Sequence, residues 1–282
     1  MLKISFCSLF FASSVAWAGS CCLSSSQTPS LLLGTEKAKF SFSSAQGTEL
    51  YRAGSDGVWT VTRQRSQLWT NRVDGAYRWA QEGDELFQTP HFQMGLSIPY
   101  VTLQDGRDGD SQLGDLKLSV GYGTSSDLFF AVVTAPTGRS IYQEVSDSGL
   151  YTGQGFYRLG LGLLSARQFG WWDVSGSFSV SDGLARETLY GKADPGLALL
   201  ADGSLGVRSS QGGLGLALSQ SFDPGLFEQG EKRVTSAGVY GRWVVSDQEV
   251  ILVTYSDQTL LGKATNTALQ RSFAVGFSRL WR

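Results

Sequence analysis

The sequence holds a single histidine, His91, so serine-nucleophile chemistry of the hydrolase kind would have to run through it. Such chemistry needs a base within hydrogen-bond reach of its nucleophile, oriented in turn by a third polar group. His91 is followed by Phe92 and Gln93, with no His-x-Ser arrangement, and it falls at the end of its segment away from the long connections. A structural histidine accounts for it, and no catalytic residue is assigned. The densest acidic group is Asp105, Asp108, Asp110 and Asp115. Hard divalent cations take several carboxylate oxygens, but this spacing matches no EF-hand loop, and acidic external loops are ordinary solvated surface. Of the three cysteines, Cys7 lies in the first apolar run, and Cys21 and Cys22 are adjacent, which would strain a bond between them. Acylation of Cys21 would call for a large aliphatic residue three positions earlier, where Ala18 stands. Free thiols or an intermolecular bridge fit the pair better. No His or carboxylate spacing beside it suggests a metal, and no cofactor is expected.

The other side chains able to do work are charged residues set between apolar ones: Arg72, Asp74, Arg78, Lys117, Arg158, Asp173, Asp202, Arg208 and Arg242. In a dry core each is costly unless paired. In a water-holding lumen they could line a pore and set ion or solute preference, as charged rings do in channels. Mutual pairing in a filled lumen is the other reading, and both stay open at this point.

What positions these residues is an alternation of period two. In 155–181 the apolar set Tyr157, Leu159, Leu161 and Leu163 opposes Arg158, Gly160 and Gly162. Past a tight turn, Trp172, Val174, Phe178 and Val180 oppose Asp173, Ser175, Ser177 and Ser179. The same pattern marks strands at 37–44, 67–80 and 87–103, and it recurs to a final strand ending in Phe273, Val275, Phe277 and Trp281. About twelve strands result, and their connections alternate strictly between short and long. A soluble sandwich has no reason to keep that rhythm, whereas a bacterial barrel with both termini in the periplasm requires it. Trp79, Tyr122, Phe169, Trp172, Trp243 and Trp281 fall beside short turns or the C-terminus. Tyr100, Tyr157 and Tyr255 fall at the opposite strand ends. Two aromatic girdles are the interfacial signature. The fold class expected is all-β, a transmembrane antiparallel β-barrel of about 12 strands.

Composition and the first residues agree. Residues 1–18 carry one cation, Lys3, an apolar run and the triplet Ala16-Trp17-Ala18, and read as a secretory signal peptide. A periplasmic lead-in over 19–35 and the barrel over 36–282 follow. Removing the signal takes Lys3 with it and moves the formal charge from −2 to −3. With no basic cluster to neutralise phosphates, nucleic acid is not an expected partner. No stretch after residue 18 approaches the length of a membrane-spanning helix, so insertion would be by strands. The 35 glycines against 6 prolines sit inside the alternating runs instead of forming linkers. They suit the inner face of tightly curved strands. The terminal aromatic is Trp281, with Arg279 where a second apolar residue would be usual.

Three stretches carry a family likeness: LGDLKLSVGYG at 113–123, TAPTGR at 134–139 and TGQGFYRLGLGLLSARQF at 152–169. From Phe92 to the C-terminus the chain resembles the outer-membrane channels, or transporter-like barrels, named for an association with meta-pathway phenol degradation. The resemblance implies a pore or transporter barrel, with small hydrophobic or aromatic compounds as candidate solutes, and transfers no substrate residue. The expectation is therefore a non-enzymatic channel or transporter in the bacterial outer membrane. Its partners would be membrane lipid and lipopolysaccharide, the barrel-assembly machinery and a small solute. The alternative is a non-conducting barrel with a structural or adhesion role.

Overall fold

The computed structural model describes residues 30–33, 36–61, 67–79, 89–105, 108–140, 155–189, 191–224, 230–261 and 264–281. The signal peptide, Cys21 and Cys22 lie outside these residues. Twelve strands form the barrel wall: β1 (Ala38–Ala53), β3 (Gln67–Arg78), β4 (His91–Asp105), β6 (Leu116–Gly123), β7 (Asp127–Ala135), β8 (Arg158–Phe169), β9 (Trp172–Gly183), β12 (Leu197–Arg208), β13 (Gly212–Asp223), β14 (Lys232–Ser246), β15 (Glu249–Asp257) and β16 (Thr267–Trp281). Each wall strand pairs antiparallel with its neighbours in chain order, and β1 closes on β16 from Ala38↔Trp281 to Ala53↔Thr267. Closure leaves no edge strand, the condition for crossing a bilayer in β form.

Alternation sets the two faces. Phe92, Met94, Leu96 and Tyr100 of β4 point out and are exposed, while His91, Gln93, Gly95 and Ser97 point in and are buried. The same outward band continues through Leu159, Leu161 and Leu163 of β8 and Leu214, Leu216 and Leu218 of β13. A continuous apolar belt of this extent far exceeds what a soluble monomer exposes and calls for lipid around it. Exposed Tyr77, Trp79, Phe92, Tyr122, Phe169, Trp172, Trp243 and Trp281 ring the end with the short turns. Pairs such as Phe92 and Tyr122, with centroids 4.7 Å apart, pack within this girdle. Arg279 fits there because its guanidinium lies 5.7 Å from the Trp281 ring centroid and 3.9 Å from Glu249.

The ladders extend further than the apolar pattern does. β1 runs to Ala53 and pairs there with a short β2 (Trp59–Val61), both inside the connection expected at 46–64. The polar stretch 105–112 contains β5 (Asp108–Leu113), which folds back on the upper part of β4 before the chain turns into β6. β10 (Arg186–Thr188) and β11 (Gly191–Ala193) form a small hairpin in the connection after β9. Above the hydrocarbon no apolar face is demanded of a strand. These pieces are held by main-chain hydrogen bonds and leave no period-two signal.

Candidate functional site

The lumen holds a piece of the chain itself. Of the segment 19–35, the described residues 30–33 lie inside the barrel and are buried, and Leu32 is 0% exposed. Leu31 and Leu33 join one apolar cluster with Leu128, Phe130 and Val132 of β7 and Leu164 of β8. This explains why β7 is apolar on both faces: its outward side meets lipid and its inward side meets two leucines. Between them the backbone of Leu32 is gripped by Gln93 on β4. Its N–H donates to Gln93 Oε1 at 2.6 Å, and its carbonyl accepts from Gln93 Nε2 at 3.0 Å. Arg78 Nη2, at the end of β3, donates to the same carbonyl at 2.7 Å. Gly95, the next inward residue of β4, is a glycine for a reason: a Cβ there would collide with the carbonyl oxygen of Ser30 and come within 2.7 Å of Ser119 Oγ.

Where this segment hands over to β1, Glu36 is buried and interacts electrostatically with Lys39, Arg78 and Arg242, which come from three different strands. The carboxylate thus draws together cations that would otherwise repel across the lumen. Removing three leucine side chains from water contributes about 2 kcal/mol each, and three hydrogen bonds about 1 kcal/mol each. Ordering four residues costs about 1–2 kcal/mol each, with roughly 0.5–1 kcal/mol more per leucine side chain. The two sides agree within a few kcal/mol, so the segment is held docked by a margin that loss of two leucine side chains would remove.

The wall opposite is different. Inward Asp173, Ser175 and Ser177 of β9, Asp202, Ser204 and Arg208 of β12, and Gly213, Gly215 and Ala217 of β13 are half-buried, so water reaches them. They are tied across strands: Ser175 to Ser204 at 2.7 Å, Ser177 Oγ donating to Asp202 at 3.0 Å, and Arg208 to Asp173 at 3.6 Å. The Tyr240 side chain of β14 lies along this wall instead of across the lumen. It can do so because Gly206 and Gly215, paired in register, offer no Cβ: either one would strike the phenol.

The nine charged positions singled out from the sequence all fall on inward-facing register positions, in distinct groups. Arg72 and Asp74 pair at 2.9 Å on β3, within electrostatic reach of Lys39 and Lys117. Arg208, Asp173 and Arg242 form a second group on β9, β12 and β14. Arg158 reaches from β8 to Asp223 at the end of β13, 3.0 Å away, near the loop end. Asp202 bonds Ser177, and Arg78 belongs to the docked segment's clamp. His91 is buried and inward at the start of β4, opposite Gly123. Of the acidic group, Asp105 pairs in register with Asp108, and Asp110 with Leu103, on β4 and β5, while Asp115 accepts from the Gly138 N–H at 3.1 Å. Among the described residues no group of three or more His, Cys, Asp or Glu could hold a metal ion. Gln93, Glu36, Gly95, Leu31 and Leu33 were not singled out by sequence. The signal available was the leucine run at 31–33 together with an apolar inner face on β7 that needed a partner.

The outer membrane channel from Pseudomonas putida F1 superposes with a TM-score of 0.73 at 10% identity, over 88% of this chain and 97% of that one. The fold is that of an outer-membrane β-barrel. The NanC porin matches with a TM-score of 0.47 at 11% identity, over 84% of this chain and 98% of that one. The translocator domain of autotransporter NalP from Neisseria meningitidis gives 0.44 at 14%, over 87% and 89%. No protein-family model matches the chain, and no curated protein matches it in sequence.

Proposed function

We infer that the protein is a passive channel or transporter of the bacterial outer membrane, passing small solutes along the half-buried wall of β9, β12 and β13. The observation that carries this reading is that wall: Ser175, Ser177, Ser204, Gly213, Gly215, Asp202 and the Asp173–Arg208 pair stay reachable by water, although the facing wall is covered. A barrel serving only as a scaffold gains nothing from keeping charged groups wet beside a filled half. The fold shared with the Pseudomonas putida channel is compatible with the same role. Arg72, Asp74, Arg78, Lys117, Arg158, Asp173, Asp202, Arg208 and Arg242 are the proposed lumen-lining charges. Asp173, Asp202 and Arg208 face the path, Arg242 is grouped with them from β14, Arg158 is tied to Asp223 at the loop end, and the others lie on the filled half. Small hydrophobic or aromatic solutes would need the apolar surface of β7 and β8. Lipid, lipopolysaccharide and the assembly machinery acting on the last strand are the proposed partners.

Purified barrel in planar bilayers is expected to give discrete current steps, and proteoliposomes to leak small solutes. A silent bilayer with intact vesicles, from protein that shows the heat-modifiable gel shift of a folded barrel, would sink the channel reading. The second reading, a non-conducting structural barrel, draws on residues 30–33 and on the Arg158–Asp223 pair, both of which narrow the lumen. Silent bilayers are its expected outcome.

A further inference from the structure

Residues 30–33 sit in the lumen the way a short peptide sits in a receptor. Gln93 exchanges two hydrogen bonds with the N–H and C=O of one residue, Leu32, as a neighbouring β-strand would. That recognition reads backbone, not side chain. Arg78 holds the same carbonyl, and Gly95 leaves room for the carbonyl of Ser30, two residues before the grip. The residues flanking Leu32 put their side chains into one apolar cluster built by β7 and β8. A backbone clamp with pockets for alternate side chains is the arrangement by which sheet-type receptors bind extended peptides.

We propose that this lumenal wall is a binding site for short apolar peptides of the pattern apolar-x-apolar, and that residues 30–33 are its tethered occupant. The proposal goes beyond conduction and does not depend on it. Only two residues separate Leu33 from Glu36, and a tether that short holds its ligand at an effective concentration in the millimolar range or above. A free peptide at micromolar concentration therefore cannot compete in the intact chain. It binds once the occupant is gone.

The test uses a fluorescein-labelled N-acetyl-Ser-Leu-Leu-Leu-amide and fluorescence anisotropy with detergent-solubilised barrel. The receptor is the full chain carrying Leu31→Asp and Leu33→Asp, and in parallel a chain lacking residues 19–33. Either receptor serves, provided it shows the heat-modifiable shift. Saturable binding is expected to both, with at least about tenfold weaker binding to the unaltered chain, where the tethered segment competes. Gln93→Leu or Gly95→Val, added to either receptor, should abolish it, and a Ser-Asn-Leu-Asn peptide should not bind. No saturable binding to a folded receptor overturns the proposal. So does binding that Gln93→Leu and Gly95→Val leave unchanged, since that would be partition into the micelle. Because the readout is anisotropy, a silent bilayer would defeat the channel reading without touching this one.

Discussion

The lumen has two walls built from the same alternation, and they end in opposite states. On β3, β4, β6, β7 and β8 the inward positions include Arg78, Gln93, Gly95, Leu128, Phe130 and Leu164, and residues 30–33 cover them. On β9, β12 and β13 they are mostly serine, glycine and carboxylate; those nearer the short turns, such as Asp173, Ser175, Ser177, Asp202, Ser204 and Gly215, are half-buried, whereas Ser179, Ser181, Ala198, Leu200 and Ser219 are buried. The difference lies in what each inner face offers an incoming segment. Apolar side chains on β7 and β8 reward burial of leucine. The hydroxyl wall gives a leucine no such gain, and its polar atoms already pair across strands, as Ser175 with Ser204 and Ser177 with Asp202 do. Side-chain chemistry on two strands thus decides which half of the barrel is filled.

The largest effect should come from erasing the contrast. Leu31→Asn with Leu33→Asn removes two buried aliphatic side chains worth about 1.5–3 kcal/mol each. Docking is balanced to within a few kcal/mol, so the segment should leave the wall. Single-channel conductance is expected to rise several-fold, with the gel shift of the folded barrel retained. Unchanged conductance would mean that the segment does not limit the passage.

The next effect is on stability and belongs to the open wall. Gly215→Val puts a branched side chain where the Tyr240 ring lies, and overpacking of this kind costs about 1–3 kcal/mol. The temperature at which the gel shift is lost should fall, and Tyr240→Ala in the same chain should restore part of it, because the two positions are in contact. Gly75→Ala on β3 is the matched control: nothing lies within 4 Å of a Cβ there, and its effect should stay below about 0.5 kcal/mol.

Charge should separate the walls by selectivity more than by stability. Asp202→Asn removes a carboxylate from the water-reached wall, and the reversal potential under a salt gradient should move towards anion preference. Arg208→Gln should move it the other way. Lys39→Met, on the covered side, where the side chain is buried, should leave it nearly unchanged. Equal shifts at all three positions would contradict a path confined to β9, β12 and β13.

Much of this was legible in the sequence. The strand number, the inward placement of the charged residues and the outward aromatic girdles follow from period two and loop rhythm, because lipid imposes one face on every strand. Two kinds of feature left no such mark. β2, β5 and the β10–β11 hairpin stand where no apolar face is required, so only main-chain pairing defines them. The clamp on Leu32 joins residues 61 apart in sequence through a neutral carboxamide, and nothing in the type or spacing of Gln93 announces it. The apolar run of β7 was visible, but its meaning depended on a segment outside the barrel repeat folding inward. A period describes the wall; it does not describe what the wall holds.

The smallest effect is expected at the rim, where neither wall is involved. Arg167 on β8 donates to Asp127 Oδ2 at 2.7 Å and to the Ser126 carbonyl at 3.2 Å, and Ser165 Oγ donates to the other Asp127 oxygen at 2.8 Å. The geometry is good, yet both charged side chains are about half exposed, at 47% and 51%. Solvent screening reduces such a pair to about 0–1 kcal/mol. Arg167→Ala should therefore lower the unfolding temperature only slightly, and less at high salt than at low salt, with conductance and reversal potential unchanged. A large loss of conductance from this substitution would place the turn between β6 and β7 in the solute path and extend the open wall to strands on the covered side.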